Sequence, residues 1–290
     1  MSQQFSEATR GLLDRLRSRD DERVSELGRT KLLIHGDVRP LSVVLFHGLA
    51  ASPQQFVRFA HDLHERGYNV VVPRVPRHGH SDRLSEALGL LNADELREFA
   101  RVNVELASGL GERVVVAGFS LGGLLSTWIA QRYPIERAIA IAPYLGLTFV
   151  PTRAMDRLTR FALKIPNWYG WWDPIAREKQ MPAHGYPRYS THALAQMYEL
   201  VREVLGAETG IAANHVTFVT NQREAGVNNR TVRKLVQRLR QQSGNDRVEH
   251  VVLRGLPISH DIIEPLRHPK IADTVYPDLL ELIEGRQRPT

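Results

Sequence analysis

"VVVAGFSLGGLL" runs from Val114 to Leu125. A short apolar run leads into Gly118, Phe119, Ser120, Leu121, Gly122 and Gly123, and an apolar helical pattern follows. A strand that turns this sharply into a helix strains the residue at its apex, and neighbouring side chains collide unless they are small. The apex side chain then projects from the sheet. The free N–H groups of the following helix aim at the same place. A serine that merely fits a tight bend is the plainer alternative. The position suits an attacking hydroxyl beside a developing oxyanion, so Ser120 is read as a nucleophile.

Strand and helix patterns alternate on both sides of this turn. "NVVVP" (69–73), "RVVVAG" (113–118), "RAIAIA" (137–142), "HVTFVT" (215–220) and "RVEHVVL" (247–253) read as strands. Earlier, "TKLLIHG" and "SVVLFHG" are two more, with a turn at "DVRP" between them. Helical patterns cover 53–66, Ala93–Leu110, 121–132, a basic stretch between the last two strands, and 269–284, where Pro269 suits the first turn. Several strands are nearly continuous apolar runs, which requires burial on both faces. The fold class is therefore α/β, a mostly parallel, doubly wound sheet clothed by helices.

Two stretches stand apart. Residues 5–19 form an amphipathic helix with Phe5, Ala8, Leu12, Leu13 and Leu16 on one side. It is expected to pack on its own domain or on a partner subunit, which leaves a homodimer open, rather than on a membrane surface. The interval 144–212 has no clear buried strand, and "FALKIPNWYGWWDP" and "MPAHGYPRYS" make it dense in aromatics and prolines. It reads as an inserted helical lid above the carboxyl ends of the strands, where open sheets of this kind bind ligands. The expected division is a core of 1–143 and 213–290, in which 1–25 is a helical extension, with the lid at 144–212.

Composition narrows the function classes. The chain of 290 residues contains no cysteine, which excludes disulfides, thiolate catalysis and cysteine-bound metals and fits a reducing, cytoplasmic setting. It has no apolar run of membrane-spanning length, and "MSQQFSEATRGLLDRL" lacks the layout of a secretory signal. The net charge of +6 raises the question of nucleic acid. In the densest basic stretch, "NRTVRKLVQRLRQQ", Val232, Leu235, Val236 and Leu239 share one helical face. Arg230, Arg233, Lys234 and Arg238 lie largely on the other. This reads as a solvated face, so no nucleic-acid partner is expected.

A serine hydroxyl needs a base to take its proton. In folds with this elbow the chain order is serine, acid, histidine. His260, in the loop after the last strand, is the expected base. His250 lies inside the preceding strand, and His268 falls at the start of the last helix. Glu224, just beyond the 215–220 strand, is the expected acid. Asp261 adjoins His260, where neighbouring side chains diverge, and Asp246 precedes the last strand. The oxyanion should meet the backbone N–H groups of Leu121 and of Leu49, in the loop "LFHGLAASP". His47 is expected to brace that loop.

With these pieces together, the chain resembles the α/β-hydrolases, in the branch of monoacylglycerol lipase-like and carboxylesterase-like serine hydrolases. The matching stretches are "VVLFHGLAASP", "VPRHGHSD", "VVVAGFSLGGLLS", "TNQREAGVNN" and "PISHDIIEP". The resemblance implies a Ser–acid–His triad, an acyl-enzyme, and neither cofactor nor metal. Two departures stand out. Glu224 replaces the family's usual aspartate, and "PRHGH" replaces its usual Pro-Gly-His-Gly; Ser81, just after it, is expected to cap the next helix.

The function expected is hydrolysis of a small-molecule carboxylic ester with an apolar acyl group, of monoacylglycerol or medium-chain type. Trp168, Trp171 and Trp172 are candidates for the wall of its pocket, against the alternative that they form the lid's own core. Thioester hydrolysis or acyl transfer by the same residues, and a hydrolase-fold protein that only binds ligand, are the alternatives.

Overall fold

Val43, Val44, Leu45 and Phe46 are each at most 1% exposed, as are Val115, Val116 and Ala117. Side chains on both faces of a strand are all buried only where both faces are covered. In the computed structural model, which describes residues 3–148 and 150–285, these runs are β2 (Arg39–Phe46) and β4 (Gly111–Phe119) of a seven-stranded sheet. Around them lie β1 (Lys31–Leu33), β3 (Asn69–Val72), β5 (Arg137–Ile141), β8 (His215–Asn221) and β9 (Val248–Leu253). The order is β1-β3-β2-β4-β5-β8-β9. β1 is antiparallel to β3, and every other neighbouring pair is parallel.

Helices α1 (Glu7–Ser18), α2 (Val57–Glu65), α3 (Ala93–Leu110), α4 (Leu121–Ala130), α7 (Asn229–Ser243) and α8 (Pro269–Glu284) clothe this sheet. α3 starts sharply because Asn92 and Glu95 form a reciprocal capping box. All of α4 is buried. The N-terminal helix packs on its own domain: Phe5, Leu12, Leu13 and Leu16 meet Val71, Leu106 and Leu110.

Three expectations are revised. β2 begins at Arg39, inside the expected turn. Pro40 is tolerated there because pairing with β3 starts only at Ser42, so its missing N–H breaks no bond on that side. The helix expected over 53–66 opens instead as a 3₁₀ turn, Pro53–Phe56, before α2. The interval 144–212 is not wholly helical. It holds α5 (Thr152–Ala162) and α6 (Thr191–Gly206), and between them β6 (Tyr169–Trp171) pairs antiparallel with β7 (Arg188–Ser190). Tyr169 and Trp171 are good strand formers, which the density of prolines masked. α6 also joins the main core, through Met197, Tyr198, Leu200, Val201 and Val204. α5 by contrast leaves Leu158 and Phe161 exposed.

Candidate active site

The glycines around Ser120 each answer a close approach of backbone. A Cβ on Gly118 would strike the backbone of Gly122, and one on Gly122 would strike the carbonyl of Phe46. Strand β4, helix α4 and strand β2 therefore meet without side chains between them. Ser120 turns the chain in the left-handed region, with φ 55° and ψ −106°, a strained conformation for a residue with a Cβ. Its backbone is fully engaged. The N–H donates to Ile141 O (2.9 Å), and its carbonyl accepts from Leu124 (2.9 Å) and Tyr144 (3.0 Å).

The side chain points at His260. Ser120 Oγ lies 2.9 Å from His260 Nε2, and His260 Nδ1 lies 3.0 Å from Glu224 Oε1. A carboxylate only accepts, so the proton belongs on Nδ1, and Nε2 is left to accept from the serine. The Glu224 side chain is 1% exposed and that of His260 30%. Glu224 Oε1 also accepts the N–H groups of Gly226 (2.6 Å) and Val227 (3.3 Å). Burial pushes the Glu224 carboxyl up. The hydrogen bond and charge of His260, with those two backbone donors, outweigh burial and hold the carboxyl below its usual value.

Leu121 opens α4, so its N–H has no partner within the helix. Gly48 brings the other expected donor close: a Cβ added there would lie 3.0 Å from the Phe119 ring and 3.6 Å from Ser120 Cβ. The Gly48–Leu49 peptide thus runs beside the serine. His47 braces this loop. Its Nδ1 donates to Gly48 O (2.9 Å), and its Nε2 accepts the N–H of Val75 (3.1 Å). Burial pushes its imidazole well below the usual pKa, which keeps it neutral for both bonds.

Two residues not singled out in the sequence hold the loops in register. The buried Gln55 accepts the N–H of Gly48 (2.9 Å) and reaches Asp261 Oδ2 with its amide (3.5 Å). The buried Asn221 donates to the carbonyls of Pro257 and Ser259, both at 3.0 Å, just before His260. An amide residue closing a buried strand was the signal for Asn221. Gln55 carried none, because nothing in its own stretch marks which backbone N–H it meets, and Asp261 is 206 positions away.

The rival groups are occupied elsewhere. Asp261 Oδ1 accepts from Ile263 (3.3 Å) and Glu264 (3.1 Å), closing its own turn. His250 Nε2 meets Thr220 Oγ1 across the sheet (2.9 Å), and His268 stands just before α8. Ser81 does not cap the next helical turn; its N–H donates to Arg23 O (2.8 Å). Ser85 Oγ instead accepts from Ala87, at the start of that turn. Trp168 and Trp172 pack around Tyr189, with ring centres 5.9 and 4.9 Å away. Trp171 lies under the guanidinium groups of Arg177 and Arg188. Among the described residues the ring contacts of these tryptophans stay within the β6–β7 region and do not reach Ser120. No group of three or more His, Cys, Asp or Glu among the described residues could hold a metal ion. No described helix is long and apolar enough to cross a membrane.

A family model described as the alpha/beta hydrolase fold matches residues 42–170. A monoacylglycerol lipase from Paleococcus ferrophilus superposes with a TM-score of 0.67 over 89% of this chain and 98% of its own, at 18% identity. This chain has the alpha/beta hydrolase fold. A soluble variant of monoglyceride lipase from Saccharomyces cerevisiae gives a TM-score of 0.66 over 89% of this chain and 92% of its own, at 15% identity. Among curated proteins, Esterase YjfP of Escherichia coli is 28% identical over 107 residues, which is 34% of this chain. That match spans less than half of the esterase, 43% of its length. In the alpha/beta hydrolase fold seen here, the elbow at Ser120 and the loops after β2, β8 and β9 all gather at the carboxyl end of the sheet.

Proposed function

We propose that this protein is a serine hydrolase of carboxylic esters that works through an acyl-enzyme. The observation that carries the reading is the unbroken chain from Ser120 Oγ through His260 to Glu224, with steps of 2.9 and 3.0 Å, anchored at a strained turn. His260 Nε2 takes the hydroxyl proton as Ser120 Oγ attacks the ester carbonyl. The N–H groups of Leu121 and Leu49 receive the oxyanion; one such donor is worth about 2.7–4 kcal/mol in the transition state. Glu224 stabilises the imidazolium. His260 then protonates the departing alcohol, leaving the acyl group on Ser120. Water, deprotonated by the same imidazole, attacks the acyl carbon, and the acid leaves as the proton returns to Oγ.

Two things support an apolar acyl group, of monoacylglycerol or medium-chain type. Structures similar to this one are named as monoacylglycerol lipases, and the 144–212 interval exposes Leu158, Phe161 and Trp168. We read that interval as the cover of the substrate site. A cytoplasmic location suits the cysteine-free sequence. The test is a series of p-nitrophenyl esters of graded acyl length on the wild type and Ser120→Ala. The wild type should turn over the series with a preferred length, and the variant should lose about 10⁴-fold or more. Equal rates in both would remove the proposed nucleophile.

A further inference from the structure

The basic face of α7 carries more charge than a solvated surface calls for. The helix Asn229–Ser243 contains no acidic residue. Arg230, Lys234 and Arg238 recur at intervals of four with Arg233 beside them, a spacing at which like charges repel. Arg230 also stands in the first turn of the helix, where its dipole disfavours cations. Among the described residues none of the four is paired with a carboxylate. Charge placed against both local preferences, and left uncompensated, calls for an anion from outside the chain.

A receptacle for it exists. All four residues line an open cavity of about 780 Å³, with Pro151, Thr152 and Leu205 also in its wall. That volume is in the range of small-molecule sites, and the mixture of an apolar wall with converging cations is the make-up of such sites. Arg238 is set in advance, because its guanidinium donates to the carbonyls of Val204 (2.8 Å) and Leu205 at the end of α6. Glu224 also borders the cavity; its Oε1 is taken up by His260, Gly226 and Val227, and its Oε2 is buried without a hydrogen-bond partner among the described residues, so the cations of α7 and not this end of the cavity receive the anion.

We propose that this cavity binds a phosphate-bearing small molecule. Arg230, Arg233, Lys234 and Arg238 hold the anionic group, and Pro151 and Leu205 receive an apolar part. Four cations match a group with two or more negative charges, which a phosphate ester or pyrophosphate supplies and a single carboxylate does not.

The test is calorimetric titration of the full chain at low ionic strength with two probes, inorganic pyrophosphate and coenzyme A. Saturable binding of either is expected, weakening as salt is raised. Arg233→Glu/Lys234→Glu should weaken it by about tenfold or more. Both residues are exposed and the change relieves like-charge repulsion, so the melting temperature of this variant should not fall below that of the wild type. Arg233→Gln/Lys234→Gln should lose less than the charge reversal. Tighter binding of coenzyme A than of pyrophosphate is expected from the apolar wall, and equal or weaker binding of coenzyme A would overturn the role given to Pro151 and Leu205. Ser120→Ala should bind like the wild type, which separates this site from the hydrolytic reading. No binding of either probe, or binding undiminished in the reversed-charge variant, overturns the proposal. Preference for a short RNA over both probes, through the same side chains, also overturns it.

Discussion

Glu224 Oε1 lies 3.0 Å from His260 Nδ1 while accepting the N–H groups of Gly226 and Val227. One oxygen of a buried carboxylate orients both the imidazole and its own loop. Glu224→Gln can keep the oxygen in position but removes the charge that stabilises an imidazolium. Its kcat/KM on a p-nitrophenyl ester should fall by roughly 10³–10⁴-fold with little change in folding. Glu224→Asp keeps the charge on a side chain one methylene shorter, and a loss of about 10²-fold is expected. Steady-state rates of the two variants, side by side, separate charge from reach.

Glycine substitutions should have opposite signs at two helical positions. At Gly122 a methyl would meet the Phe46 carbonyl, backbone that cannot swing aside. Gly122→Ala should therefore cost about 3 kcal/mol or more, or abolish folding. At Gly11, within α1, an added Cβ meets nothing within 4 Å. Gly11→Ala should stabilise by about 0.5–1 kcal/mol. Urea unfolding midpoints measure both.

Stability should fall on mild acidification. Burial lowers the His78 imidazole from 6.5 to about 4. Between those values the unfolded chain binds a proton that the folded one refuses, so stability rises with pH. The contribution is complete above pH 6.5 and is lost as pH falls toward 4. The difference corresponds to about 3 kcal/mol. Denaturant unfolding at pH 7 and pH 4.5 should reveal it, and His78→Gln should flatten the profile.

The His184–Glu264 contact gives a further test. His184 Nε2 lies 2.9 Å from Glu264 Oε2, with side chains 1% and 2% exposed. His184 Nδ1 is 3.2 Å from Ser52 Oγ. This cluster ties the segment before β7 to the loop that follows Leu49 and to the loop that carries His260. Removing either partner alone, as His184→Leu or Glu264→Leu, should cost about 3–5 kcal/mol, because the other is left buried and unmatched. The double leucine variant should recover much of the loss. A double-mutant cycle in thermal unfolding provides the measurement.

What the sequence made legible is what is written locally. Strand, glycine, serine and helix fall within a dozen residues at 114–125, and steric limits leave few ways to fold them. His260 and Glu224 could be found because the order of strands fixes which loops reach the elbow. The β6–β7 pair could not. Its strands, three residues each, lie among prolines, and only pairing with each other defines them. The Ser52–His184 contact joins residues 132 positions apart, which no window of sequence contains. The Gln55–Asp261 contact, 206 positions apart, was hidden for the same reason. The basic face of α7 was legible as charge, but the cavity beside it depends on how α6, Thr148 and residues 150–152 pack against it.

The burial of α6 in the main core divides the 144–212 interval into two parts of unequal freedom. Its last helix shares its packing with α4 and cannot be altered without disturbing the helix that follows Ser120. α5, which turns Leu158 and Phe161 outward, is held less tightly, with Met155 its buried apolar residue in the main core. Laboratory evolution aimed at new acyl preferences should therefore draw its successful variants from residues 150–175, and randomising 193–204 should yield mostly insoluble protein.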